Sequence, residues 1–211
     1  MSSSAESSSA AQPAPPPAAV LKGHRDTLRA LVALPADHPR RSRLASGSSD
    51  GTIRLWDPVA GGEAKAVLRG HSGGVYALTC FHLPTGGLYM VSGAFDNTLR
   101  LWDPLAAEAL AVLHGHTGTV EALESFVLHP RVTQCVASSS GTEVRIWSIT
   151  APPPGTAWGD SAVSALLVLP VAARVNAMTC AAPCSRSQRS ATPSAADSAR
   201  SGPISFAGVS A

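Results

Sequence analysis

A tryptophan and a Gly-His pair recur together along this chain, and their shared period limits the possible fold more than any other feature of the sequence. Trp56, Trp102 and Trp147 lie 46 and 45 residues apart. Gly23-His24, Gly70-His71 and Gly115-His116 run ahead of them, with His-to-Trp gaps of 32, 31 and 31 residues. The text around each indole is copied too: Asp50-Gly51-Thr52-Ile53-Arg54-Leu55-Trp56-Asp57 matches Asp96-Asn97-Thr98-Leu99-Arg100-Leu101-Trp102-Asp103, and Gly141-Thr142-Glu143-Val144-Arg145-Ile146-Trp147-Ser148 is a worn third copy. Either dipeptide alone would say little. Two landmarks in step at ~40 to 45 residues mark a chain built from one repeated unit that stacks on its neighbours.

The units read as strands. Short apolar and β-branched runs are punctuated by Pro35, Pro39, Gly51, Pro58, Gly61 and Gly62, and no window sustains a helical period. The first unit supplies four runs, Leu28 to Leu34, Arg43 to Ser48, Thr52 to Asp57 and Glu63 to Arg69. The second supplies Val75 to Phe81, Leu88 to Gly93, Thr98 to Asp103 and Glu108 to His114. The third begins with Val120 to Val127, Val132 to Ser138 and Glu143 to Trp147. An inserted loop, Ala151 to Asp160, then delays its last run to Ala165 to Leu169. A fourth unit starts at Arg174 to Cys180, which copies Gly74 to Cys80, and Phe206 to Ala211 faintly echoes Met90 to Ala94.

These residues resemble the WD-repeat family of β-propellers, over Ala18 to Trp147 in particular. The resemblance implies an all-β fold: an open, incomplete propeller of three four-stranded blades, at about 23–69, 70–114 and 115–169, with a partial fourth at 174–180. Residues 1–17, almost all Ser, Ala, Pro and Gln, have too little apolar surface to offset ordering entropy and read as a disordered tail. Residues 181–211 read as a low-complexity insert with a last strand at 203–210. In the family, Ala19 to Lys22 would be an outer strand without a blade of its own. Closed rings have 4 to 8 blades, and WD-repeat rings usually about seven, ~300 residues at this period. Three repeats and a stump, ending inside a strand, therefore imply completion by another chain or membership of a longer protein.

His, Ser and Asp recurring together invite a hydrolase triad such as His24, Ser46 and Asp50. The resemblance implies a structural role instead. In WD-repeat blades the His, a Ser of the second strand, the Asp of the following turn and the Trp form a buried hydrogen-bonded quartet. Here these are His24, Ser46, Asp50 and Trp56, then His71, Ser92, Asp96 and Trp102. The third blade keeps His116 and Trp147, while Gly141 falls at the Asp position and Ala137 at the Ser position, so this blade is expected to be the weakest. Unpaired, each of these buried polar groups would cost ~1 to 3 kcal/mol. Arg54, Arg100 and Arg145, each two residues before a Trp, are expected to cover blade edges and send their guanidinium groups to solvent or a carboxylate.

Sixteen basic against fourteen acidic residues give a net charge of +2, which calls for neither nucleic acid nor an anionic membrane as partner. The longest apolar run, Ala162 to Ala173, falls short of the ~20 residues of a membrane span. Four scattered cysteines and the lack of a signal segment point to an intracellular, cytoplasmic setting, with the nucleus left open. No metal-ligand spacing and no phosphate cradle is present, so neither metal nor cofactor is expected and no small-molecule substrate is implied. Function should then lie in loops on a rigid frame, as a non-catalytic scaffold or adaptor for other proteins. A sensor propeller from a larger enzyme, such as a kinase or a nucleotide-hydrolysing switch protein, and a truncated product with no activity of its own are the alternatives. The family's contact positions on the upper face, carried over, include Arg29, Ser49, Tyr76, Phe95, Glu121 and Asn176.

Overall fold

The computed structural model describes residues 20–35, 44–128, 133–153, 155–158, 162–171, 175, 179–180 and 204–205. The tail 1–17, Asn176 and most of the segment 181–211 lie outside these residues. Among the described residues every regular element is a strand. Three antiparallel four-stranded sheets follow one another: β1 (Leu28–Ala33), β2 (Leu44–Ser48), β3 (Ile53–Trp56) and β4 (Ala66–Leu68); β5 (Val75–His82), β6 (Leu88–Ala94), β7 (Leu99–Asp103) and β8 (Glu108–Leu113); β9 (Ala122–Leu128), β10 (Thr133–Ser140), β11 (Glu143–Ile149) and β12 (Val163–Pro170). A two-stranded stub, β13 (Thr179–Cys180) with β14 (Ile204–Ser205), begins a fourth. The strands of each sheet lie in sequence order, so each repeat closes on itself as a meander, and the arc is an open, incomplete propeller.

One kind of contact joins the sheets. The first apolar residue of each inner strand is a knob that presses on the second strand of the sheet before it. A Cβ at Gly47 would stand 2.7 Å from Val75 Cγ1, and one at Gly93 only 2.4 Å from Val120 Cγ1. Glycine at these two places is thus required by close approach. Val175 makes the same contact on the third sheet, where its carbonyl accepts from Ser139 Oγ at 2.8 Å. Val75, Val120 and Val175 are buried, whereas Leu28, the same position in the first blade, is 47% exposed. Beside Leu28 runs an open groove lined by Leu21, Leu31, Leu44 and Trp56.

The apolar cores lie between blades rather than within them. Ile53, Leu55, Val75, Met90 and Trp102 fill the first junction. Leu99, Leu101, Val120, Val136 and Trp147 fill the second. Strand alternation explains the placement, because each sheet must bury both faces against neighbours. The inserted loop of the third blade folds back so that Trp158 packs edge-on against Tyr89 of the second, with ring centroids 5.2 Å apart. Leu21 makes a single parallel bridge to Gly62, and Lys22 N–H donates to the Gly62 carbonyl at 3.2 Å. Instead of an extended outer strand, this segment satisfies its backbone on the nearest open carbonyl of the first blade.

Candidate functional site

The structure brings the first two predicted quartets together. In the second blade His71 Nδ1 lies 2.9 Å from Asp96 Oδ2, His71 Nε2 lies 2.7 Å from Ser92 Oγ, and Trp102 Nε1–H donates to Ser92 Oγ at 2.8 Å. The first blade repeats this with His24, Asp50, Ser46 and Trp56 at 3.0, 2.7 and 2.7 Å. An ionised carboxylate only accepts, so Nδ1 carries the proton, Nε2 accepts, and the serine hydroxyl donates to it while accepting from the indole. The serine is buried with both roles filled. In the first blade His24 and Ser46 also line the open groove beside Leu28.

Each Asp also ties down its own turn. Asp96 accepts from Thr98 Oγ1, Thr98 N–H and Ser72 N–H. Burial would raise its pKa, but these bonds together with His71 hold it down at about 2. Burial pulls the His71 pKa below its ordinary value against the opposing pull of Asp96. Thr98 and its counterpart Thr52 complete both sites, and the repeated Asp-x-Thr in the sequence was the signal for them.

The third blade corrects the sequence alignment. Ser138, not Ala137, is the quartet serine: His116 Nε2 lies 2.7 Å from its Oγ, and Trp147 Nε1–H donates to it at 2.8 Å. The pairs Ser48–Thr52 and Ala94–Thr98 each enclose three turn residues, whereas Ser140–Glu143 encloses only Gly141 and Thr142. Counting back ten residues from the tryptophan therefore overshoots the serine by one. The shortened turn has no place for the Asp, and Gly141 occupies its left-handed position at φ 57°. Glu143, which replaces the Thr of the other blades, supplies a carboxylate instead. Its Oε1 stands 3.2 Å from His116 Nδ1, too poorly aligned for a hydrogen bond, while it accepts from Arg145 Nε. Burial lowers the His116 pKa to about 4 despite Glu143, and the Arg145 bond holds Glu143 below the usual carboxylate range.

The three arginines do not simply reach solvent. Arg54, Arg100 and Arg145 each lay the guanidinium over the glycine of the Gly-His pair, where a Cβ would meet Nη1 at 2.5, 2.8 and 2.6 Å. At Gly70 and Gly115 the backbone adds its own demand, with φ of 154° and 148°. The glycine that opens each repeat thus makes room for an arginine some 30 residues later.

Four of the predicted contact residues, Arg29, Ser49, Tyr76 and Phe95, lie on the bulges and turns of the first two blades. Leu28 pairs with Ser48 and Ala30 with Gly47, so Arg29 is an extra residue in a β-bulge; Tyr76 is its counterpart between Val75 and Ala77. Bulges re-aim a side chain and recur beside functional sites. Arg29 Nε–H donates to Ser49 Oγ at 2.9 Å, and its guanidinium carbon sits 4.9 Å from the centre of the Tyr76 ring. Phe95, 61% exposed, lies 6.5 Å from that ring. Its N–H is fixed to the Gly74 carbonyl at 2.9 Å, as that of Ser49 is to Thr27. Thus Arg29, Ser49, Tyr76 and Phe95 form one patch across two blades. Glu121 is half-buried on the third blade, with its N–H bonded to the Ser139 carbonyl.

Cys80 packs across the first junction, with Sγ 3.4 Å from the Ala33 carbonyl. Among the described residues no group of three His, Cys, Asp or Glu side chains could hold a metal ion, and no helix is long and apolar enough to cross a membrane.

Comparison with known proteins agrees with this geometry. Residues 16–57 and 62–103 match the model of the WD domain, G-beta repeat. A Nuclear distribution protein PAC1 of Ajellomyces capsulatus is 45% identical over 60 residues, which cover 28% of this chain and 12% of that protein. The same-named protein of Arthroderma otae is 37% identical over 78 residues, or 37% and 16% of the two chains. The chain therefore matches only a small part of the curated relatives' length. Among solved structures, the RRP9 WD40 repeats superpose with a TM-score of 0.58 at 23% identity, covering 75% of this chain and 43% of that one.

Proposed function

This chain belongs to the WD-repeat family of β-propellers, and from that premise we propose that it is a non-catalytic scaffold that docks other proteins on the upper rim of its blades. The observation that carries the reading is the patch of Arg29, Ser49, Tyr76 and Phe95. Two bulges and two pinned turns hold these side chains at a blade junction. Preorganised aromatic and arginine side chains are the usual anchors of protein interfaces. The buried quartets, by contrast, are consumed in holding each blade together. An adaptor role inside the cell fits relatives whose names refer to nuclear distribution.

Tyr76→Ala tests this. The variant should unfold at nearly the same urea concentration as the parent chain but recover far less partner protein in crosslinked pull-downs from the native cell. Equal recovery from both would remove the rim as the docking face.

A further inference from the structure

The rim patch also specifies the chemistry of what binds it. We infer that it takes an extended segment of a partner protein carrying an acidic side chain two or three residues away from a bulky apolar one; this rests on the scaffold reading above.

Arg29 sets the first half. Its Nε is held by Ser49 Oγ and its plane lies over Tyr76, so the group is oriented before any partner arrives. It is exposed, and among the described residues it has no carboxylate partner. The two terminal nitrogens are left as a fork suited to a carboxylate, and stacking and the Ser49 bond reduce the entropy lost when one docks. The nearby acids are engaged elsewhere: Asp50 on His24, and Asp26 on the Thr27 N–H and hydroxyl.

Tyr76 and Phe95 set the second half. Their rings lie side by side next to the fork, and Phe95 is 61% exposed. The fork and the Phe95 ring are separated by at most about 11 Å through Tyr76. An extended chain advances about 3.3 Å per residue, so two or three residues span the two subsites. A cation beside two aromatic rings could also stack the bases of single-stranded nucleic acid. Such binders, however, line up several cations along the backbone, and this patch has one in a chain whose net charge is only +2.

The test is selection of a phage-displayed library of random dodecapeptides on the full 211-residue chain and on its Arg29→Gln and Phe95→Ala variants, each first checked for an unchanged urea midpoint. Selected peptides should pair Asp or Glu with Phe, Tyr, Trp, Leu or Met at a spacing of two or three. Arg29→Gln should remove the acidic preference and weaken a selected peptide at least tenfold by fluorescence polarisation, while Phe95→Ala should remove the apolar preference. Peptides that bind equally well to both variants would overturn this inference, while the scaffold reading would still be decided by partner capture with Tyr76→Ala. Failure to select any peptide, together with undiminished partner capture by Tyr76→Ala, would overturn both. Binding of a labelled dodecauridylate that is lost in Phe95→Ala would replace the inference with a base-stacking platform.

Discussion

The second and third blades solve one problem with different parts. Both must bury an imidazole and an indole beside a serine, and both do so with nearly identical Ser-His and Ser-Trp distances. They differ in the acid. Asp96 reaches His71 from a three-residue turn and at the same time gathers three hydrogen bonds from Ser72 and Thr98. Glu143 approaches His116 from the strand itself, misses hydrogen-bond geometry, and spends its best contact on Arg145. A carboxylate on the turn organises the loop above it, whereas one on the strand answers only part of the charge below it. The difference locates the weaker quartet in the third blade.

The largest effect should come from removing an indole. Trp102→Ala should destabilise the chain by about 3 to 5 kcal/mol in urea unfolding, since it opens a cavity in a filled junction and strips Ser92 of its donor. Trp147→Ala should come close to it. A much smaller loss at Trp147 would mean that the third blade's junction is loosely packed as well.

Acid should expose the difference next. His116 titrates near 4 when folded and near 6.5 when unfolded, so the unfolded chain binds the proton first as pH falls. Stability is therefore full above about 6.5 and declines down to about 4, by on the order of 3 kcal/mol. His116→Asn should flatten that slope in urea midpoints measured between pH 7 and 4. If His71→Asn flattens it more, the acid-sensitive blade is the second. Below that range the sign is carried by Asp96: its stabilisation is present above about 3.8 and vanishes as pH falls through about 2.

Removing the carboxylates should separate the blades most directly. Asp96→Ala leaves His71 Nδ1 and three other donors without an acceptor and should lose about 2 kcal/mol. Glu143→Ala should lose about 1 kcal/mol or less, because it makes no hydrogen bond to His116 and Arg145 can turn to water. Equal losses would show that the strand carboxylate substitutes fully for the one on the turn.

Periodicity carried the reading a long way. The paired landmarks located all twelve strands of the three sheets, because alternation and turn residues act locally and the copies reinforce one another. The quartet of His71, Ser92, Asp96 and Trp102 came from the family resemblance, and the structure sets these side chains within hydrogen-bond distance of one another. The misassigned serine came from the single-residue contraction at Gly141-Thr142, which a fixed spacing cannot register. Glu143 escaped notice because a carboxylate at a threonine position shows its use only when the imidazole is seen beside it.

What the sequence determined alone is the unit: four strands, a Gly-His pair and a Trp, repeated at one period and set by local pattern. What only the tertiary structure decided lies between units. Gly47 and Gly93 are there to admit the next blade's valine, and Arg29 stacks on a tyrosine of the next blade, 47 residues away. Those contacts depend on how two sheets are juxtaposed, a relation among residues distant in the chain that no local pattern of side chains encodes.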